Sequence, residues 1–289
     1  MAPAIEIRGL RKSFESFTLG PIDLTVPAGA IYGFVGPNGA GKTTTIDLLF
    51  GMGGKDEGSI KVLGLDHLRD DVAMKRQVGY VGPDLNFRPW GRIDRAIRFV
   101  RGFYPTWDQA YCDRLLDLFR LSPTDTIATL SFGSRIKLAL VLAMAWRPRL
   151  LVLDEPTVGL DAIGKQALFA ELLSAVRDED RTVFISSHAI SDLERFADHV
   201  AMIKQGRVLF EGTTDAVVER YRMVDVVTDQ AIDLGTQPGV RVQQRDGDRC
   251  RVLIDLQHMP ISRLAQHGAQ PIADAPLSLE ELFVALGRP

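Results

Sequence analysis

A chain of 289 residues, 46% apolar, is long enough to bury a sizeable core as one large domain or one large and one small. Its net charge of −3 lacks the basic footprint of a nucleic-acid binder, so no nucleic-acid partner is expected. Cys112 and Cys250 make no metal-ligand pattern, MAPAIEIRGL is no signal peptide, and no apolar run approaches the roughly 20 residues of a bilayer span.

In chain order, Ile5 and Ile7 read as strand residues. The run Ile31 to Val35 is apolar throughout, as for a strand buried on both faces. A glycine-rich turn follows, then a helix over Thr43–Phe50. Short strands are expected at Lys61–Leu63 and Val78–Val81. From about Pro89 to Leu121 the pattern is helical, with Ile93, Ile97 and Val100 on one face and Leu115, Leu116, Leu118 and Phe119 in a second amphipathic stretch. Arg92, Arg95, Arg98 and Arg101 recur at three-residue spacing and read as a solvated face, with partner contact as the alternative. Leu150–Leu153 and Thr182–Ser186 are further buried strands. Strands alternating with helices imply a largely parallel α/β sheet.

Beyond about residue 220 the character shifts, and no lysine follows Lys204. Val240–Gln244 and Cys250–Ile254 alternate around Asp246-Gly247-Asp248 as a hairpin. Ser278 to Leu286 reads as a closing helix, with Ser278 as cap and Glu281 three residues on. The expected division is a large α/β domain over 1–221, with a helical subdomain at about 86–148, and a small α+β domain over 222–289.

Gly36-Pro-Asn38-Gly39-Ala-Gly41-Lys42-Thr43-Thr44 fits G-x-x-x-x-G-K-[ST] between a buried strand and a helix. Glycines let the backbone approach phosphates closely and point amides at them. Lys42 supplies positive charge to the β- and γ-phosphates, Thr43 a hydroxyl for Mg²⁺, and the helix start its partial charge. About a hundred residues on, Leu150–Leu153 ends in Asp154-Glu155-Pro156. An aspartate there shares the metal with Thr43, and a glutamate beside it orients or deprotonates the attacking water.

With Gly159-Leu160-Asp161 and Ser186-Ser187-His188 in order and spacing, the chain resembles the ATP-binding subunits of ABC transporters over residues 1 to about 220. The resemblance implies a phosphate-loop NTPase core of ABC type with an inserted helical subdomain. It implies ATP and Mg²⁺ as ligands, Asp161 in a loop crossing a dimer interface, and His188 at the γ-phosphate. The family's Leu-Ser-Gly-Gly-Gln signature has its counterpart in Leu130-Ser131-Phe132-Gly133-Ser134. Ser131 and Gly133 then face the ATP of a second, head-to-tail subunit, with identical chains favoured over unlike ones. Phe14 fits the family's adenine-stacking position, and Phe17 is the runner-up.

Two features depart from the family. Phe132 and Ser134 replace a glycine and the glutamine of the signature. Gly82-Pro83-Asp84 stands where a glutamine loop is usual, which makes Asp84 a candidate metal contact and puts the hydrolysis rate in question. The mixture of altered signatures, one ATPase domain and a C-terminal extension is most similar to bacterial export-type subunits. The resulting expectation is a subunit on the cytoplasmic face of the membrane, hydrolysing ATP for a separate permease that exports peptide, antibiotic or other small substrates. An importer subunit, a soluble ABC-type ATPase and a non-hydrolysing regulator are the competing readings.

Overall fold

The computed structural model describes residues 2–83, 88–179, 181–229 and 231–287. The elements begin β1 (Ile5–Ser13), β2 (Thr18–Val26), β3 (Ile31–Val35), α1 (Lys42–Leu49), β4 (Glu57–Val62), β5 (Leu65–Asp66), α2 (Asp71–Lys75) and β6 (Val78–Val81). There follow α3 (Ile93–Arg101), α4 (Gln109–Phe119), α5 (Phe132–Met144), β7 (Leu150–Asp154), α6 (Ala162–Glu179), β8 (Thr182–Ser187), α7 (Ile190–Leu193), β9 (His199–Lys204) and β10 (Arg207–Thr213). The chain closes with α8 (Thr214–Arg220), β11 (Tyr221–Thr228), β12 (Val240–Asp246), β13 (Arg249–Asp255), β14 (Ala269–Ala275) and α9 (Leu279–Gly287). Two compact units result: Met1–Ala189 with Phe196–Leu209, and Ile190–Arg195 with Phe210–Pro289.

The first unit holds two sheets. One is six-stranded in the order β10-β9-β3-β8-β7-β6, and β3, β6, β7, β8 and β9 pair in parallel. Every residue of β3, β7 and β8 is buried, which is why these strands read as unbroken apolar runs. Parallel pairing brings their carboxyl ends to one edge: Val35 lies opposite Ser187, and Asp154 opposite Ser186. Loops leaving that edge build the site.

The second sheet, β2-β1-β4-β5, is antiparallel and was not anticipated. Burial alternates along β1 and β2, so the period of two was present in the sequence but spread across irregular registers. The helical stretch forms as α3, α4 and α5. Arg92, Arg95, Arg98 and Arg101 are all exposed. Leu115, Leu116 and Phe119 are buried but Leu118 is exposed, because it falls at the rim of the apolar stripe. α4 is fastened to α6 by Glu171, a carboxylate only 5% exposed. It accepts from the Tyr111 hydroxyl at 2.7 Å and from both Arg114 nitrogens at 2.7 and 2.9 Å.

The second unit contains the antiparallel sheet β12-β13-β11-β14 over Val224, Val226, Val252, Ile254 and Leu264. The hairpin β12–β13 turns at Gly247, whose φ of 61° suits a glycine. Ser278 and Glu281 cap α9 reciprocally: Glu281 Oε2 accepts from Ser278 N at 2.8 Å, and Ser278 Oγ from Glu281 N at 3.1 Å. Asp255 accepts from Arg220 Nε at 2.9 Å and pairs with His258 Nδ1 at 3.0 Å.

Candidate functional site

Between β3 and α1 the chain folds as a tight cradle. Gly39 and Gly41 take φ of 76° and 109°, values that favour glycine. Gly36 is needed for space, since a Cβ there would lie 2.3 Å from Ile203 O. Asn38 and Gly39 are exposed at the lip, Thr44 is half-buried, and α1 begins at Lys42 with its first amides turned to the loop. Lys42 is 5% exposed and donates to Gly36 O at 2.7 Å and Pro37 O at 3.2 Å.

The acidic end of β7 meets this loop. Thr43 Oγ1 donates to Asp154 Oδ2 at 2.7 Å, and Ser186 donates to the other oxygen of Asp154. Ser186 Oγ also accepts from Glu155 N at 3.0 Å. Glu155 itself takes φ of 52°, a left-handed conformation costly for a side-chain-bearing residue and found where a site imposes it. One carboxylate oxygen, Oε1, lies 3.0 Å from Lys42 Nζ, a charge contact without hydrogen-bond alignment. The other, Oε2, meets His188 Nδ1 at 2.7 Å and the His188 amide at 3.3 Å.

Burial first, then the nearby Asp154 charge, holds Asp47 above the usual carboxylate range. Burial, with Asp154 and Asp47 beside it, pushes the Tyr80 hydroxyl up to about 12. After burial, the Asp154 charge is the next cause of both shifts, so the field of that carboxylate reaches both side chains.

Ser131 caps α5, its Oγ accepting from Ser134 N at 3.1 Å. Gly133 is buried against the turn after β7, where a Cβ would sit 2.3 Å from Gly159 O. Asp161 Oδ1 accepts from Gly164 N at 2.8 Å at the start of α6.

Lys42, Thr43, Asp154, Glu155 and His188 are thus joined by direct contacts, while Ser131, Gly133 and Asp161 share a separate neighbourhood. Phe14 is half-exposed and stacks on Phe17, ring centroids 6.3 Å apart. Phe17, the runner-up, is the ring that reaches the loop: it lines a cleft of about 590 Å³ with Pro37, Asn38, Gly39 and Lys204. Asp84 lies outside the described residues. Ser186, which the sequence offers only as a neighbour of His188 in Ser186-Ser187-His188 and as the polar end of a buried strand, joins the site through Asp154 and the Glu155 amide. Among the described residues no helix is long and apolar enough to cross a membrane.

A parallel sheet, a glycine cradle at its carboxyl edge and a carboxylate pair facing it define a phosphate-loop nucleotide-binding protein. The ABC transporter family model matches residues 19–158. The Nod factor export ATP-binding protein I of Burkholderia lata is 32% identical over 234 residues, 77% of this chain and 75% of its own. The ABC transporter ATP-binding protein YtrB of Bacillus subtilis is 27% identical over 284 residues, 97% of each chain. Among solved structures, an ATP-binding subunit of an ABC transporter superposes with a TM-score of 0.68 at 26% identity, covering 75% of this chain and 92% of that one. A dimeric ATP-binding cassette bound to ADP and Pi shares the fold, with a TM-score of 0.64 at 18% identity over 73% of this chain and 98% of its own. The chain belongs to the ATP-binding subunits of ABC transporters.

Proposed function

We propose that this chain hydrolyses ATP to drive a separate membrane permease in an exporter, working as a head-to-tail pair of identical subunits on the cytoplasmic face of the membrane. One observation carries the chemistry: a single carboxylate, Glu155, held between Lys42 and His188 one residue from the Thr43–Asp154 pair. Export is supported by the Nod factor relative, whose name states that activity. The domain division at residues 221 and 222 remains part of this reading.

The residues fit the ligands. Loop amides and the α1 terminus suit a phosphate chain, and the Phe17 cleft beside Asn38 and Gly39 suits a purine, with Phe14 stacked behind. Thr43 and Asp154 turn two hard oxygens to one point. A hydroxyl and a carboxylate oxygen are the hard donors that suit Mg²⁺, which would arrive with the nucleotide. When bound there, Mg²⁺ neutralises charge on the β- and γ-oxygens. Asp84 is retained as a further candidate ligand.

In the proposed cycle Lys42 exchanges Gly36 O, Pro37 O and Glu155 for phosphate oxygens. Glu155, released from that cation and still oriented by His188 and Ser186, takes a proton from the attacking water. The water oxygen bonds to the γ-phosphorus as the bridging bond to the β-phosphate breaks. Ser131, Gly133 and Asp161 of a second subunit complete the site over the γ-phosphate.

Phosphate release from ATP by the purified chain tests this. Glu155→Gln is expected to bind ATP, turn it over at least about a hundredfold more slowly, and accumulate as an ATP-dependent dimer. Normal turnover by that variant overturns the assignment of the base.

A further inference from the structure

The chain leaves the first unit after Ala189 and rejoins it at Phe196, and the short segment between, Ile190–Arg195, belongs to the second unit. Both ends of this excursion are fastened in the first unit. Ala189 N donates to Ser187 Oγ at 3.0 Å, and Ser187 Oγ donates to Ala189 O at 3.2 Å. Phe196 stacks on Phe169 of α6, ring centroids 4.3 Å apart. The excursion itself is α7, which packs on α9 with Ile190 and Leu193 buried. Glu194 continues the turn of α7, its amide donating to Ile190 O at 3.1 Å. Its side chain clasps the second helix: Glu194 Oε1 accepts from Leu279 N at 3.1 Å. Leu279 opens α9, so the bond satisfies an amide the helix leaves without a partner and sets a negative charge at its positive end. Leu279, Leu282 and Ala285, all buried, seat α9 in turn.

Only Ala189 separates this clasped segment from His188. The His188 ring is half-exposed, so packing does little to orient it. It is oriented by Glu155 Oε2, 2.7 Å from Nδ1 and 3.3 Å from the amide, and by the backbone on either side. Before it, Ser187 is buried at the end of β8. After it, the backbone passes straight into α7. We infer that Glu194 is a positioning residue for hydrolysis: by tying α7 to α9 it fixes the backbone that presents His188 to Glu155, and so gives the second unit control over the turnover rate. This role rests on those proposed above for Glu155 and His188. A displacement of about 1 Å near the reacting groups costs up to about a hundredfold in rate, and the charge-assisted bond from Leu279 N is the link that resists it. The bond is local to the excursion, so its loss is expected to leave Lys42, Thr43 and Asp154 in place, and with them the affinity for ATP.

The test measures phosphate release from ATP and the affinity for a fluorescent ATP analogue, both on the full-length chain. Glu194→Ala removes the acceptor of Leu279 N and is expected to lower kcat about tenfold while affinity stays within about twofold of the parent. Glu194→Gln keeps an oxygen acceptor at the same reach and should stay within about threefold of the parent in kcat. Glu194→Asp, which keeps the charge but draws the oxygen back from Leu279 N, should fall between the two. In a His188→Ala chain, itself slowed at least about tenfold, adding Glu194→Ala should change kcat by less than about twofold, because the positioned group is already gone. A parental kcat in Glu194→Ala overturns the inference and leaves the proposed function standing. So does a parallel loss of ATP affinity, or a full further loss on top of His188→Ala, either of which would make Glu194 a general support of the fold. A His188→Ala chain with parental turnover overturns the proposed role of His188 and the inference with it.

Discussion

Lys42 and Glu155 share a charge contact of 3.0 Å across a site where the lysine is 5% exposed. A buried ammonium needs partners, and Lys42 has the carboxylate and two carbonyls of its own loop. In the proposed cycle phosphate oxygens take over these contacts. Lys42→Ala removes a charged donor from the phosphates, so ATP affinity should fall about tenfold to a hundredfold in a fluorescence titration. Unchanged affinity would take Lys42 out of the site.

Ser186 ties the two carboxylate residues together. It donates to Asp154, which is 4% exposed, and accepts from the Glu155 amide, helping to hold Glu155 at its φ of 52°. In Ser186→Ala the Glu155 amide loses its acceptor and Asp154 one donor, a loss of about 1–3 kcal/mol of stability. The larger expected effect is on chemistry: turnover should drop by about tenfold or more while nucleotide affinity stays within about threefold, since no phosphate contact is removed. Equal losses in turnover and binding would make Ser186 a general structural support instead.

The candidate site was legible because its residues are local in sequence. Gly36–Thr44 is one continuous segment, and an apolar strand ending in Asp154-Glu155 carries its polarity change at one point. What joins those segments was not legible. The placement of Ser186 beside Asp154 depends on strand pairing, Asp154 opposite Ser186, which no periodicity reveals. The same holds for the sheet β2-β1-β4-β5, whose strands β1 and β4 lie some fifty residues apart, as the pair Ile5 and Val62 illustrates. The choice between Phe14 and Phe17 was ambiguous for another reason: the two rings stack on each other, so spacing alone could not say which of them lines the cleft beside the loop.

Glu171 is the joint between α4 and α6. Replacing it with alanine removes the acceptor at 2.7 Å from the Tyr111 hydroxyl, on a residue 3% exposed, and both of its contacts with Arg114. Losing these contacts costs about 1–3 kcal/mol. Tyr111→Phe/Glu171→Ala should cost less than the sum of the two single variants, because each single change already removes the hydrogen bond they share. Thermal melts of the single and double variants check this; strict additivity would show that the two side chains are not coupled.

The Arg220–Asp255–His258 group sets an acid limit on the second unit. Burial alone would raise the Asp255 carboxyl, but hydrogen bonds from Arg220, His258 and the Gln257 amide outweigh it and leave it below the ordinary value of 3.8. Asp225, held by Arg251, and Glu281, held by the Ser278 amide, are lowered as well. A carboxyl that is more acidic folded than unfolded adds stability that is complete above its unfolded value and lost as pH falls through its folded value. The second unit should therefore keep its stability from neutral pH down to about 5 and lose it progressively below about 4. Asp255→Asn, which carries no such titration, should melt lower at pH 7 and lose less between pH 5 and pH 3 than the parent. A variant whose melting temperature falls in parallel with the parent's over that interval would show that Asp255 does not supply the acid sensitivity.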